Sequence, residues 1–383
     1  MSIPRPIKKG NMPTLSRQTS ALLSHVVEQI ADGVLITDRQ GFIEYVNPAF
    51  ELMTGFSSDD VRGKTPRILK SGLQDSAFYE RLWAELMAGS SFQATMGNRR
   101  KTGEIYYVEE TITPITDETG DAQHFVAVLQ DIGEVLNRQE QDAQLRLARQ
   151  IQRKFYRGTP TVPGFDVAAA AYPAYVTSGD YFDFISLPHN RQCIAVGDVE
   201  GHGFGSALVM ALTRAYVHSF AAMGLEVDQI LTQVNRMLVD DLGDGCFVTL
   251  MLVSLDVSTR SMVYAGAGHI PGYVLNPSGS TSHTLESSGP PLGLFPNARF
   301  SRHPSITLYP KQLLVLLTDG ITESVSPDGD EWGARGALEY LATHSAQTAK
   351  QLVDGLYHEA LRFTCDEPQK DDITSVIVKV EPK

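Results

Sequence analysis

Four aspartates occur in four separated apolar segments of the C-terminal half, each beside a glycine, a second acid or a hydroxyl. They are Asp180 in SGDYFDF, Asp198 in AVGDVEGHG, Asp319 in LLVLLTDG and Asp371 in KDDITSVIV. Strand-like runs that carry acids at their ends can bring such residues together from distant parts of the sequence. Because crowded carboxylates repel one another unless hard divalent cations neutralise them, the pattern predicts a Mg²⁺ or Mn²⁺ site.

Each segment also has a plainer interpretation when it is taken singly. The GDVEGHG segment is compatible with a strand-to-helix turn in which Asp198 caps the helix, and Asp319 is compatible with a turn before a helix. Asp371 and Asp372 could lie in a solvated loop. Asp180 and Asp183 are three apart on a predicted strand, so they should point to opposite faces, and Asp180 is the favoured ligand.

The elements that must position these acids alternate along residues 164–383. Apolar runs predict eight strands, and helical periodicity predicts helices at 205–223, 227–240, 336–344 and 346–361. Strands in hairpin-like pairs with long helices between them indicate two sheets covered by helices. The expected class for the whole chain is α+β.

The N-terminal half has a different element order. Two short strands flank a turn at 38–41, short helices follow, a longer helix is predicted at 77–88, and strands are predicted at 92–98, 105–115 and 124–131. This order predicts a local antiparallel sheet without a βαβ crossover.

Residues 20–133 resemble a PAS domain. The motifs are DGVLITD, IEYVNPAF, MTGF, LWxxLxxG, NRRKTGE and the terminal FVAVLQDI. Light-sensing relatives carry GRNC where this chain reads GKTP after Val61-Arg62, so the photoreactive cysteine is missing. His25 and His124 have no recognisable haem context, and no PAS ligand is assigned.

Residues 134–157 read as a polar helix with one narrow apolar seam. Leu136, Ala143, Leu147, Ile151 and Phe155 recur at spacings of seven and four. The favoured interpretation is a coiled-coil linker between two protomers of a homodimer, and the alternative is a single helix packed on its own domain. Residues 1–19, which contain no acid, are expected to be a flexible tail.

Composition excludes several classes of protein. A formal net charge of −13 argues against nucleic-acid binding, which normally requires a basic face. The three cysteines are far apart, which disfavours disulfides and thiolate zinc sites. No apolar run approaches the roughly 20 residues that span a bilayer. These observations favour a cytoplasmic location without membrane contact.

Residues from about 148 to 380 resemble the PPM metal-dependent serine/threonine phosphatases, in the branch typified by the stage II sporulation phosphatase E and the Rsb stress-response regulators. The motifs, in order, are ARQIQ, PGFDVAA, SGDYFDF, GDVEGHG, FVTLMLVSLD, YAGAGH, PPLGLF, LLTDGITE and DDIT. The departures are modest: Ser178 replaces a usual glycine, Glu200 a usual serine, and GHIPG stands for GHNPP. The change at Glu200 could alter the substrate groove.

The resemblance implies a PPM β-sandwich flanked by helices, over 158–383, and a binuclear Mn²⁺ or Mg²⁺ centre. The metal ligands it implies are Asp180, Asp198, the Val199 carbonyl, Asp319 and Asp371, with Asp372 and Asp183 as weaker or indirect ligands. Asp198 and Asp319 would be central to catalysis. His202 is a candidate for proton transfer, with a structural role as its alternative, and His269 is expected to be structural or substrate-facing.

The function expected from the sequence is a signal-regulated protein serine/threonine phosphatase. The resemblance suggests that its substrate is a phosphorylated anti-sigma-factor antagonist of the STAS type in a partner-switching pathway. One alternative is a non-catalytic dimeric PAS scaffold that binds phosphoprotein. Another is a sensory ligand-binding protein whose output is oligomerisation.

Overall fold

The structure, a computed structural model, describes residues 17–156, 158–243 and 245–382. Contacts divide the chain into two units that meet between Gln141 and Asp142. Most of the predicted tail, residues 1–16, lies outside the described part, and residues 17–19 already belong to the first helix. In the part of the chain that is described, no helix is both long and apolar enough to cross a membrane.

The N-terminal unit is an antiparallel five-stranded sheet with short helices. The helices are α1 (Arg17–Gln29), α2 (Pro48–Thr54), α3 (Ser58–Val61) and α4 (Ser76–Met87), with a 3₁₀ turn at Pro66–Leu69. The strands are β1 (Gly33–Asp38), β2 (Ile43–Val46), β3 (Phe92–Arg99), β4 (Ile105–Thr116) and β5 (Ala122–Asp131). Their order is β2-β1-β5-β4-β3, so the predicted antiparallel sheet is confirmed.

One carboxyl group lies inside this N-terminal sheet unit. Alternation along β4 turns Tyr106, Val108 and Glu110 to the same buried side. Burial raises the pKa of Glu110 to about 7, although the neighbouring Asn98 partly offsets the effect. The Tyr106 hydroxyl, on the same side, has no hydrogen-bond partner among the described residues.

Helix α5 (Gly133–Arg153) contains the predicted linker and ends four residues earlier than the prediction of 157. Residues 154–156 form a turn. Leu136, Ala143, Leu147 and Ile151, four residues of the predicted seam, are exposed in the single chain. The helical part of the prediction is therefore confirmed, and pairing with a second chain stays a prediction.

Within its described residues, the C-terminal unit contains ten strands and five further helices. The strands are β6 (Phe165–Tyr172), β7 (Tyr181–Leu187), β8 (Arg191–Val199), β9 (Val248–Asp256), β10 (Ser261–Ala267), β11 (Gly272–Leu275), β12 (Thr281–Leu285), β13 (Ile306–Thr307), β14 (Leu313–Leu317) and β15 (Ile373–Val380). The helices are α6 (Phe204–Ala222), α7 (Val227–Asp241), α8 (Asp319–Thr322), α9 (Gly333–Thr343) and α10 (Ala349–Phe363).

The ten strands form two antiparallel sheets that pack face to face. Their orders are β13-β10-β9-β8-β7 and β12-β11-β14-β15-β6. One apolar cluster joins the inner faces of both sheets, with Val196 and Met251 from one and Leu316 and Val376 from the other. Helices α6 and α7 cover the outer face of the first sheet, and α9 and α10 cover that of the second. The predicted β-sandwich flanked by helices is thus confirmed.

Candidate metal centre

The alternation of side chains along the strands directs the acids to one end of the space between the two sheets. Along β8, Ile194 and Val196 point into the inter-sheet core. Asp198 is two residues further along the same strand, so its side chain lies on the same face. Asp180 precedes β7 and has the parity of the inward-facing Phe182. Two acids from neighbouring strands therefore reach the same rim of the sandwich.

Asp180 is buried at this rim and is held by the facing sheet. Its Oδ2 accepts a hydrogen bond of 2.8 Å from the Thr318 hydroxyl, and the Thr374 amide in turn donates to that hydroxyl. Burial, with the charge of Asp198 as the second cause, raises the pKa of Asp180 well above its usual value. The carboxyl group is thus positioned by both sheets, in an environment that favours a cation beside it.

Asp198, Asp319 and Asp371 line an open cleft of about 520 Å³. Three glutamates line the same cleft: Glu200, Glu323 and Glu367. Burial and the nearby Asp319 and Asp371 raise the pKa of Asp198 to about 8. Burial also raises the pKa values of Asp319 and Asp371. The cleft therefore brings together three aspartates whose ionised forms are destabilised.

The segments that carry Asp319 and Asp371 approach each other at Gly320. A side chain at this position would overlap the backbone carbonyl of Asp372. Gly179 likewise allows a close backbone approach, between the loop before Asp180 and the end of β8. A Cβ at this position would lie 2.9 Å from the Val199 carbonyl oxygen. Glycine at both positions lets the loops that carry the acids pack backbone to backbone.

Asp372 does not line the cleft, although it is adjacent to Asp371. It is buried, and its carboxylate accepts hydrogen bonds from the Ala174 amide (2.8 Å), the Ser178 hydroxyl (2.7 Å) and the Gly179 amide (2.8 Å). These bonds hold the loop that leads into Asp180. The geometry makes Asp372 a positioning residue for Asp180, and its direct ligation of a metal stays a prediction.

Asp183 lies on the opposite face of β7, as the spacing from Asp180 predicts. Its carboxylate pairs with Arg214 (3.0 Å) and contacts the His218 ring (2.6 Å), both on α6. The Tyr181 hydroxyl also donates to it. Asp183 therefore fastens α6 to the sheet, and the structure does not bring it to the cleft as a weaker ligand.

The two histidines singled out by sequence have different environments. His202 lines the cleft, and its ring stacks on Tyr175 with centroids 4.6 Å apart. His269 is buried and links the two sheets, because its Nε2 donates to the Leu317 carbonyl and its Nδ1 accepts from the Thr249 hydroxyl. Burial lowers the pKa of His269 to about 4, so it stays neutral in a structural role.

The donor set suits hard divalent cations, because the cleft acids and the Val199 carbonyl offer oxygen atoms only. In the described residues, no three histidine, cysteine or acidic side chains are drawn together closely enough to enclose an ion as they stand. Asp198, Asp319 and Asp371 share the cleft wall, whereas Asp180 is buried and does not line the cleft. The match to Mn²⁺ or Mg²⁺ therefore depends on the chemistry and mutual proximity of the acids.

Sequence reasoning missed the residue that ties α5 to this centre. The buried side chain of Gln152 donates to the Ser178 carbonyl (2.6 Å) and accepts from the Ser178 amide (3.0 Å). The hydroxyl of Tyr156 donates to the Asp180 carbonyl at 2.7 Å. The ARQIQ motif contains Gln152, but only its contact with a segment 26 residues away shows what it does.

Comparisons with known proteins agree with this geometry. Residues 188–381 match the family described as Stage II sporulation protein E (SpoIIE), and residues 21–132 match the PAS fold. Protein IcfG of Synechocystis sp. (strain ATCC 27184 / PCC 6803 / Kazusa) is 29% identical over 280 residues, which cover 66% of this chain and 43% of IcfG.

Phosphoserine phosphatase RsbU of Bacillus subtilis (strain 168) is 28% identical over 247 residues, covering 63% of this chain and 71% of RsbU. Among solved structures, the SiaA-PP2C domain of Pseudomonas aeruginosa superposes with a TM-score of 0.55 at 22% identity. The superposition covers 63% of this chain and 98% of that domain, and it shows a shared fold.

Proposed function

We propose that this chain is a signal-regulated, metal-dependent phosphoserine/phosphothreonine protein phosphatase, because it belongs to the stage II sporulation protein E (SpoIIE) family and carries a PAS fold ahead of that region. The observation that carries the proposal is the cleft that Asp198, Asp319 and Asp371 share, where burial raises all three pKa values and Asp319 and Asp371 add to the rise at Asp198. Such a cleft is costly for a fold to maintain unless divalent cations neutralise it.

In this proposal Asp180, Asp198, the Val199 carbonyl, Asp319 and Asp371 hold two Mn²⁺ or Mg²⁺ ions. When bound, the ions supply an acidified water as nucleophile and neutralise the phosphoryl oxygens. Thr318 orients Asp180 through its hydroxyl, and Asp372 holds the preceding loop. In the same proposal His202, which lines the cleft, protonates the leaving serine or threonine oxygen.

Regulation would act through α5. The bidentate contact of Gln152 with Ser178 lies two residues from Asp180, so rotation or displacement of this end of the helix would move the acid. A signal received by the PAS fold would change the pairing of α5 between two protomers and thereby order or loosen the metal centre. The exposed seam of α5 supports this dimer.

The name of a relative supports the substrate class in this proposal. RsbU carries the name phosphoserine phosphatase, which supports a phosphoserine substrate for this chain. A phosphorylated anti-sigma-factor antagonist of the STAS type is the partner we propose.

The test is Mn²⁺-dependent hydrolysis of a phosphoserine peptide by the purified full chain. We expect activity that EDTA abolishes, and a loss of at least about a hundredfold in Asp198→Asn. Asp240→Asn, which changes an exposed acid on α7, is the matched control and should keep full activity. A wild-type chain that binds the peptide with Mn²⁺ but never releases phosphate would instead be the non-catalytic scaffold.

A further inference from the structure

Four exposed apolar side chains lie on the two segments that border the cleft. Phe204 and Leu208 are four residues apart at the start of α6, on one face of the helix, and Tyr175 and Val176 lie on the loop before Asp180. Their exposed fractions are 50%, 55%, 47% and 37%. We call these four residues the apolar rim.

The two halves of the apolar rim are joined beside the cleft. Tyr175 stacks on His202, which itself lines the cleft two residues before Phe204. Behind them, a Cβ at Gly179 would lie 3.4 Å from the Cβ of Ser206, so the loop and the first turn of α6 are in close contact. The apolar rim is therefore continuous with the acidic cleft through the Tyr175–His202 stack.

Any protein that delivers a phosphoserine to Asp198 and Asp319 must cover the wall beside them. In the proposed centre the acids that line the cleft would hold the ions that bind the phosphate, so they would give little attraction to the rest of a substrate. The apolar rim offers surface that becomes favourable once it is removed from water. An apolar side chain next to the phosphoserine would match it.

We propose that Tyr175, Val176, Phe204 and Leu208 form the docking surface for the phosphoprotein substrate, and that they select substrates with apolar side chains flanking the phosphoserine. This inference rests on the proposed phosphatase function and adds to it a determinant of substrate choice. The rim residues act by binding and take no part in the chemical step.

The experiment compares two phosphoserine peptides on the full chain with Mn²⁺. One peptide carries leucines at the two positions on each side of the phosphoserine, and the other carries serines there. We expect wild-type kcat/KM to be about tenfold higher for the leucine peptide. In the double variant Phe204→Ser, Leu208→Ser, this ratio should fall to about one, whereas Phe204→Leu should keep the preference.

Met223→Ser is the matched control, because Met223 is 73% exposed at the far end of the same helix. It should leave the peptide ratio unchanged. A wild-type ratio near one, or a double variant that keeps the ratio, would overturn the docking surface. A double variant that changes the sedimentation coefficient but not the peptide ratio would also overturn the docking surface, because the apolar rim would then be a site of self-association. Hydrolysis of neither peptide, nor of p-nitrophenyl phosphate, would overturn the phosphatase function itself.

Discussion

Asp371 and Asp372 are adjacent in sequence, yet their side chains lie in different surroundings. Asp371 faces the cleft beside other acids, whereas Asp372 is buried and accepts three hydrogen bonds from the loop before Asp180. In the DDIT motif alone, only its position favours Asp371 over Asp372 as a metal ligand. Their contacts separate a candidate ligand from the residue that positions another ligand.

Substitution of each acid should therefore have an opposite effect on stability. Asp372→Ala leaves two buried donors and one partly buried donor unpaired. It should lower the free energy of unfolding of the C-terminal unit by about 3 kcal/mol. Asp371→Asn removes a charge from a repelling cluster, so the metal-free protein should keep or gain stability. It should lose the rise in Tm that Mn²⁺ gives the wild type.

Thermal unfolding with EDTA and with Mn²⁺ measures both effects. A drop in metal-free Tm for Asp371→Asn equal to that for Asp372→Ala would contradict this division of roles.

Glu110 should make the N-terminal unit pH-sensitive. Its folded pKa of about 7 lies above the ordinary value of 4.5, so between these values the folded state holds a proton that the unfolded state has released. The contribution of Glu110 to stability is then greatest below pH 4.5, falls as the pH rises to 7, and loses about 3 kcal/mol across that window.

Glu110→Gln should remove this contribution to the pH dependence and stabilise the unit above pH 7. Hydrogen exchange of the β4 amides at pH 5 and pH 8 measures it. Glu109→Gln, on the exposed face of the same strand, is the control. An unchanged pH dependence in Glu110→Gln would contradict the assignment.

At the scale of elements, the end of α5 contacts the candidate metal centre and also connects the two units. Gln152 bonds both backbone groups of Ser178, and Tyr156 bonds the carbonyl of Asp180. Three backbone groups and two side chains thus couple the position of this helix end to the position of an acid.

Gln152→Ala should weaken the response to Mn²⁺. Loss of both bonds leaves the Ser178 amide and carbonyl unpaired, and the freed loop should raise the Mn²⁺ concentration needed for half-maximal activity about tenfold. Gln150→Ala, exposed on the same helix, should leave that concentration unchanged. A metal titration of peptide hydrolysis measures both variants, and equal responses would rule out this coupling.

The long elements were predictable from sequence because their burial imposes periodicity. The helices at α6 and α7 and the strands that carry Asp198 and follow Asp180 lie within a few residues of their predicted limits. Strands β12 and β13 were missed, because the first exposes most of its side chains and the second has two residues. Helix α8 was missed because a single turn has no periodicity.

The candidate site was predictable in its acids and less so in their supports. Parity alone placed Asp180 and Asp183 on opposite faces, as the structure has them. The roles of Thr318, Gln152 and Asp372 depend on contacts between segments 26 to 194 residues apart in sequence. No local pattern records such contacts, so Thr318 and Gln152 were not singled out beforehand, and Asp372 was singled out without its hydrogen-bond partners.

At the scale of the whole molecule, α5 spans the boundary between the two units and leaves an apolar seam exposed. Leu147, 58% exposed, lies in the middle of that seam. If two chains pair there, Leu147→Asp places a charge at an apolar interface and should dissociate the dimer and uncouple the signal from phosphatase activity.

Analytical ultracentrifugation and peptide hydrolysis, with and without the activating condition, measure the two consequences. Gln141→Asp introduces the same charge on the exposed surface away from the seam and should have neither effect. If Leu147→Asp changed neither basal nor stimulated activity, the coupling model would be wrong.

The contact at Gly320 limits how this protein can diverge. Since any side chain there would press on the Asp372 carbonyl, the loop after β14 and the loop before β15 can change course only together. An insertion in one loop would require a compensating change in the other, about fifty residues away in sequence. An engineer who wished to exchange the cleft acids for other ligands should therefore keep this glycine and redesign both loops as one piece.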